Sequence, residues 1–318
     1  MITRQKQTGS LLLATVLLMT TMLSGCSAHR AASKDVENPG DQPQAVEKTV
    51  HNLWEDTSIT GTPKRVVSLD FSLTDALTAL GVQPTGVAGT GQTQVPEYIQ
   101  DRIQGFTYVG ERNDPNLDLI RSIKPDLILA DPDRSKNVKA PLQSIAPTLA
   151  LNDSSYQEMI ENLIVLGDVL DRKEQAEKAK QELLTKISSV KSKVEGNPTV
   201  LVVGGFGDDL TVWLSNSFVG SLLKDVGLTY EMPGQKIDNL GGNDVSVLTM
   251  EQLAQMDPDY LFFYGESLLY RDDPLYQNLK SVKNHHLLEV DRNLWSRGRG
   301  PIAAGKILDE ALPLLTSK

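Results

Sequence analysis

The chain has 318 residues, is 40% hydrophobic and carries a formal charge of −10. That length exceeds one average domain and leaves room for two lobes with real cores. The acidic balance argues against a nucleic-acid surface, and a single cysteine, Cys26, excludes an intramolecular disulfide.

Arg4 and Lys6 precede an apolar run from Leu11 to Leu23, and Ser24, Gly25 and Cys26 follow it. A positive start, a short apolar stretch and small residues before a cut make residues 1–25 a secretory signal. The run is too short and too interrupted for a membrane span. Leu23-Ser24-Gly25-Cys26 resembles a bacterial lipobox. That resemblance implies cleavage before Cys26 and a lipid on the new N-terminus, placing the protein on the extracytoplasmic face of the cell membrane. Residues 26–46 are small and polar with Pro and Gly, and read as a flexible tether.

Residues 48–54 and 56–60 are expected to form a short antiparallel hairpin. Strands are predicted at 65–69, 85–88, 107–109, 126–130 and 148–151, and helices at 72–80, 117–123 and 138–145. Gly81 and Pro125 stop two of those helices. Residues 156–194 contain no proline, and their apolar residues recur at steps of three and four from Tyr156 to Val194. The stripe lapses through 171–175, where Asp171 and Glu174 form a capping-box pattern. Two helices with a break near 170–172 are therefore expected. The first belongs to an N-terminal lobe, residues 47–170. The second, 171–195, connects to a C-terminal lobe, 196–318; at ~1.5 Å per residue it spans roughly 35 Å.

After Gly196-Asn197-Pro198 the rhythm resumes, with strands at 199–203, 260–264 and 287–290 and helices at 218–226, 250–256 and 302–315. Such alternation indicates mostly parallel sheets with covered faces. Residues 116–130 and 248–264 also match one another. Each places an acid, Asp118 or Glu251, seven residues before Pro125-Asp126 or Pro258-Asp259 and then an apolar strand. Equal spacing suggests two lobes on one plan.

Arg112, Arg134, Arg297 and Arg299 all follow predicted strand ends, where open α/β sheets bind ligands. Arginine offers planar, bidentate donors suited to carboxylates. Trp213, Tyr264, Tyr270 and Trp295 fall near the expected cleft rim and are candidates to pack a ligand's apolar edges. No metal site or cofactor is expected: His29 and His51 precede the first lobe, and His285 and His286 are adjacent and point apart. Gly204-Gly205-Phe206-Gly207 lacks the spacing and the lysine of a phosphate loop and reads as a glycine-rich wall. Asp208-Asp209 and Asp272-Asp273 read as polar turns, and no catalytic motif is present.

The lipobox-like segment, Pro63 to Asp70 (PKRVVSLD), the two acid-Pro-Asp units and the central helix together resemble the class III substrate-binding proteins of ABC importers for iron–siderophore complexes, haem and cobalamin. The likeness covers residues 47–316. Segments 109–151 and 290–308 are most similar to the ferric dicitrate-binding branch. The resemblance implies an α/β fold of two Rossmann-like lobes with mostly parallel sheets. A single long backbone helix joins them, and the ligand sits in the cleft between. It implies a monomeric receptor that captures ferric citrate, or a similar anionic ferric siderophore, and delivers it to an ABC permease and its ATPase without chemistry of its own. The iron would arrive already chelated. Arg112, Arg134 and Arg297 would face the ligand, and Arg299 would either join them or brace its loop. Asp118, where the family usually has glutamate, and Glu251 would dock the permease. A hydroxamate siderophore receptor and an α/β surface enzyme are the alternatives. Hydroxamate complexes are closer to neutral, and an enzyme needs a nucleophile–base pair or cofactor loop that the sequence does not show.

Overall fold

The computed structural model describes residues 46–206, 209–234 and 244–316. The signal segment 1–25, Cys26, nearly all of the 26–46 tether, Gly207 and Asp208 lie outside the described residues. The expected hairpin forms from β1 (Glu47–Val50) and β2 (Thr57–Thr60), and Val50 and Ile59 dock it on the first-lobe core. The first lobe then alternates β3 (Val66–Ser68), α1 (Phe71–Ala79), β4 (Gly86–Gly89), α2 (Glu97–Gln100), β5 (Thr107–Glu111), β6 (Asp114–Pro115), α3 (Leu117–Ile123), β7 (Leu127–Ala130), α4 (Lys139–Gln143) and β8 (Thr148–Ala150). Its sheet runs β6-β5-β4-β3-β7-β8 and is parallel except at β6. All four residues of β7 are buried, as expected of a strand covered on both faces. The sequence reading missed α2 and β6, which are too short to show a period.

The long helical stretch is broken where its stripe lapses, into α5 (Tyr156–Val169) and α6 (Lys173–Lys191). Asp171 takes a left-handed conformation (φ 55°), and the Arg172 N–H bonds back to the Gly167 carbonyl at 2.7 Å. The capping box expected from Asp171 and Glu174 does not form. The N-cap of α6 is Arg172, without a side-chain cap, because Asp171 is used to end α5 rather than to start α6. Gly167 allows the chain to fold back tightly: a Cβ there would lie 2.5 Å from the Cβ of Ala176.

This hairpin corrects the division drawn from sequence. Tyr156 and Met159, in the first turn of α5, belong to the second-lobe core, while Leu163, Leu166 and Val169 belong to the first. Ser221 and Asp225 of the second lobe accept from the Tyr156 backbone and hydroxyl respectively. Helix α6 then returns from Ala176 in the first core to Leu183, Ile187 and Val190 in the second. Both helices therefore bridge the two cores, with α6 the longer.

The second lobe comprises β9 (Thr199–Phe206), β10 (Asp209–Trp213), α7 (Phe218–Asp225), β11 (Thr229–Tyr230), β12 (Val245–Leu248), α8 (Met250–Met256), β13 (Tyr260–Gly265), α9 (Pro274–Asn278), α10 (Lys280–Lys283), β14 (Leu287–Glu289), α11 (Arg292–Trp295) and α12 (Pro301–Thr316). Its sheet runs β12-β10-β9-β13-β14, with β11 beside β9. Strand β10 is antiparallel to both neighbours, so this sheet is more mixed than the first. Gly204 and Gly205 lie inside β9 instead of ending it. A Cβ on Gly204 would run into the Tyr264 ring, and one on Gly205 into Phe263 and Tyr270, so the pair admits aromatic side chains from β13.

The matching acid-Pro-Asp units are structurally equivalent. Helices α3 and α8 each end in a left-handed residue, Lys124 (φ 51°) and Asp257 (φ 47°), ahead of the proline. The following aspartate ties its strand to a central neighbour. Asp126 accepts the N–H groups of Lys64 and Arg65 at 3.0 and 2.9 Å, just before β3. Asp259 accepts that of Thr199 at 2.9 Å, at the start of β9.

Candidate functional site

The C-terminal ends of the first-lobe strands deliver Asp70 after β3, Thr90 after β4, Arg112 after β5, Asp131 and Arg134 after β7, and Asp153 after β8. Across from them stand Trp213 at the end of β10, Asp244 before β12, and Arg292, Arg297 and Arg299 on or after α11. Together they line a cleft of two adjoining chambers, of about 290 and 630 Å³, that share Asn113, Arg134, Asp153, Trp213 and Arg299. Those volumes suit a small chelate.

Five arginines converge on the smaller chamber: Arg112, Arg134, Arg292, Arg297 and Arg299. They are not equivalent. Arg299 is compensated: its Nη1 lies 3.2 Å from Asp153 and 2.8 Å from Asp244, and its guanidinium covers the Trp213 ring at 4.8 Å. Burial would lower its pKa, but Asp244, Asp153 and Asp70 outweigh burial and hold it above the usual arginine range. Because Asp153 belongs to the first lobe, Arg299 braces the two lobes together.

Arg297 has the opposite environment. It donates to Asn293 Oδ1 at 2.9 Å, and among the described residues no carboxylate lies within ion-pair distance of it. Burial lowers its pKa first, and repulsion from Arg292, Arg112 and Arg134 lowers it further. Arg292 lies 4.3 Å over the Phe206 ring without an ion pair among the described residues. The chamber thus holds positive charge that the described residues do not pair.

The larger chamber adds carboxylates. Burial, and then Asp70 and Asp153, push the Asp131 carboxyl up to about 6. Burial likewise raises Asp153, against the pull of Arg299.

The structure brings together Arg112, Arg134, Arg297, Arg299 and Trp213, but not Tyr264 or Trp295. Tyr264 is buried beneath the cleft against Gly204, in tilted contact with Phe206 at 6.0 Å. Trp295 stacks on Phe262 at 4.4 Å, and its Nε1 donates to Glu310 at 2.6 Å. Both serve the second-lobe core, as does Tyr270, which meets Phe263 edge-on at 5.7 Å. The sequence reading missed Arg292 and the acids Asp70, Asp131, Asp153 and Asp244. Arg292 was findable, since it occupies the same post-strand segment as Arg297. Asp244 follows a stretch outside the described residues and carries no sequence signal.

Asp118 and Glu251 are each the second residue of their helices, α3 and α8. The Asp118 side chain is 94% exposed and pairs with Arg121 at 3.0 Å. Glu251 is exposed, and a hydrogen bond from Thr249 lowers its pKa. Among the described residues no cluster of His, Cys, Asp and Glu is placed to hold a metal, and no helix is long and apolar enough to cross a membrane. His51 pairs with Asp56 at 2.6 Å, and His286 stacks on Tyr260 at 4.5 Å.

The chain is 31% identical to the Fe(3+)-citrate-binding protein YfmC of Bacillus subtilis (strain 168), covering 91% of each chain. It is 28% identical to the Fe(3+) dicitrate-binding periplasmic protein FecB of Escherichia coli (strain K12), over 80% of this chain and 85% of that one. Among solved structures, Staphylococcus aureus SirA complexed with staphyloferrin B superposes with a TM-score of 0.74 at 25% identity, covering 85% of this chain and 99% of SirA. Residues 66–294 match the periplasmic binding protein family, and the chain belongs to that family.

Proposed function

We propose that the protein is a lipid-anchored, extracytoplasmic receptor that captures ferric citrate, or a similar anionic ferric siderophore, and hands it to an ABC permease. The uncompensated arginines of the smaller chamber carry this reading. Arg297 and Arg292 sit among other guanidiniums without carboxylate partners among the described residues, an arrangement that a polyanionic guest completes. The names of the relatives, two of them ferric citrate binders, support the same cargo. Iron enters as part of the cargo, held by its chelator. Cys26 supplies the lipid anchor, and Asp118 and Glu251 dock the permease, one from each lobe. The receptor works as a monomer and performs no catalysis.

Equilibrium dialysis of the soluble chain, residues 27–318, against ferric citrate, a ferric hydroxamate, haem and cobalamin tests the cargo. Retention of ferric citrate above the others is expected. Preferential retention of the near-neutral hydroxamate, haem or cobalamin overturns the citrate reading.

A further inference from the structure

Asp70 is fully enclosed at the floor of the cleft, 2% exposed, between two of the arginines. Arg112 Nη1 donates to its two carboxylate oxygens at 3.2 and 3.4 Å. Arg134 Nε lies 3.1 Å from Oδ2. Asp70 is also the N-cap of α1, accepting the Ser72 N–H at 3.2 Å. Capping alone does not account for the residue. A serine, threonine or asparagine caps as well, and a buried carboxylate is costly unless cations surround it. Burial would raise its pKa, yet Arg112, Arg134, the Ser72 N–H and Arg299 together outweigh burial and leave it lowered.

The arginines are fixed by further contacts that build outward from Asp70. Phe71, the next residue, lies under the Arg112 guanidinium at 4.3 Å. Thr90 Oγ1 accepts from Arg112 Nε at 2.8 Å. Asn113 Oδ1 accepts from Arg134 Nη1 at 3.4 Å. Among the described residues, neither Nη2 group makes a hydrogen bond, so Nη2 of each guanidinium is left for a guest. Among the described residues, the Arg297 side chain, by contrast, is tied to the residue one turn before it, Asn293.

We infer that Asp70 is a positioning residue for ligand capture: one buried carboxylate holds Arg112 and Arg134 side by side, against their mutual repulsion, so that both present free N–H groups to one anionic guest. The ordering of these side chains is then completed on folding, and binding does not incur it again. This inference rests on the proposed anionic cargo for its binding arm, but not for its structural arm.

Asp70→Asn separates positioning from simple charge. The amide keeps the cap acceptor and the size. It removes a negative charge from the cleft, so charge alone predicts tighter binding of ferric citrate. Loss of positioning predicts weaker binding, by about ten- to hundredfold. Titrations of wild type and Asp70→Asn, run well below both unfolding midpoints, read the sign. Unchanged or tighter binding by the variant overturns the inference. The same substitution in an Arg112→Met/Arg134→Met background is expected to have no further effect, and a full-sized effect there overturns it too. Should the variant not fold, NMR of the arginine side chains in unliganded wild type decides the matter. Restricted rotation about Nε–Cζ is expected for Arg112 and Arg134, and free rotation for both contradicts the clamp. If wild type binds no ferric carboxylate yet the two guanidiniums are restricted, the cargo reading fails while the clamp stands.

Discussion

Asp75 of α1 accepts the backbone N–H of Ala303 in α12 at 2.9 Å, and with its other oxygen the neighbouring N–H of Ile302 at the same distance. The first lobe thereby caps a helix of the second. The segment before α12 has no cap of its own: Gly300 lacks a side-chain acceptor, and a Cβ there would collide with Asp75. Asp75→Ala is expected to destabilise the protein by about 1–2 kcal/mol, the usual cost of a lost cap, as read by urea unfolding.

The same residue predicts a pH dependence. Burial pushes Asp75 up to about 6, against the helix N–H groups that pull it down. An aspartate raised in the folded state holds its proton more tightly there than in the unfolded chain. Its contribution to stability is therefore greatest at low pH and is lost as pH rises from about 4, its unfolded value, to about 6. Asp75→Asn does not titrate, so wild type should lose stability relative to it across that window and run parallel to it above. A constant difference from pH 4 to 7 would remove burial as the cause.

Arg299 joins Asp153 of the first lobe to Asp244 of the second. Arg299→Met removes the ion-pair partner of two buried carboxylates, Asp153 and Asp244, a cost of about 3–5 kcal/mol. A lowered urea midpoint is expected, with a larger loss at pH 8 than at pH 5, because burial raises the Asp153 pKa and its protonation relieves the stranded charge. A loss independent of pH would mean that packing on Trp213 matters more than charge.

The chain has three tryptophans, and only Trp213 lines the cleft. Ligand-induced fluorescence change should vanish in Trp213→Phe and persist in Trp295→Phe. The latter leaves the exposed Glu310 carboxylate to water in place of its indole donor and should cost about 1 kcal/mol.

Protonation of Asp131, near pH 6, removes negative charge from a cleft that receives an anion. Affinity for a ferric chelate of fixed charge should therefore rise as pH falls from 7 to 5, and Asp131→Asn should bind more tightly at pH 7 and flatten the profile. Weakening toward low pH in both proteins would assign the titration to the ligand.

Much of the fold follows from local pattern. The seven-residue helices at 117–123 and 250–256 were placed to the residue, because capping residues and prolines bound them. The break after α5 was visible as a lapse in the apolar stripe. The role of Asp171 was not, because its left-handed backbone is decided by how α6 folds back on Gly167. Strand β10 was missed since Gly204 and Gly205 resemble a loop until Tyr264 and Phe263 are packed against them. For the same reason Tyr264 and Trp295 were placed in the cleft. Proximity to a strand end shows which lobe edge a residue occupies, but not whether its ring turns inward. Four of the five arginines were legible, Arg292 being the exception, because charge following a strand end is rarely buried without purpose. Their acidic partners, Asp70, Asp131, Asp153 and Asp244, come from four separate segments and were not.

The proposal depends most on Arg297, which has no carboxylate partner among the described residues. Calorimetric titration of wild type and Arg297→Met with ferric citrate, at low and at moderate salt, tests it directly. Wild type should bind with a dissociation constant of about 1 μM or tighter, weakening as salt rises, and Arg297→Met should lose at least about tenfold in affinity. Equal affinity in the two proteins, unmoved by salt, would contradict an anionic guest held by the arginine chamber.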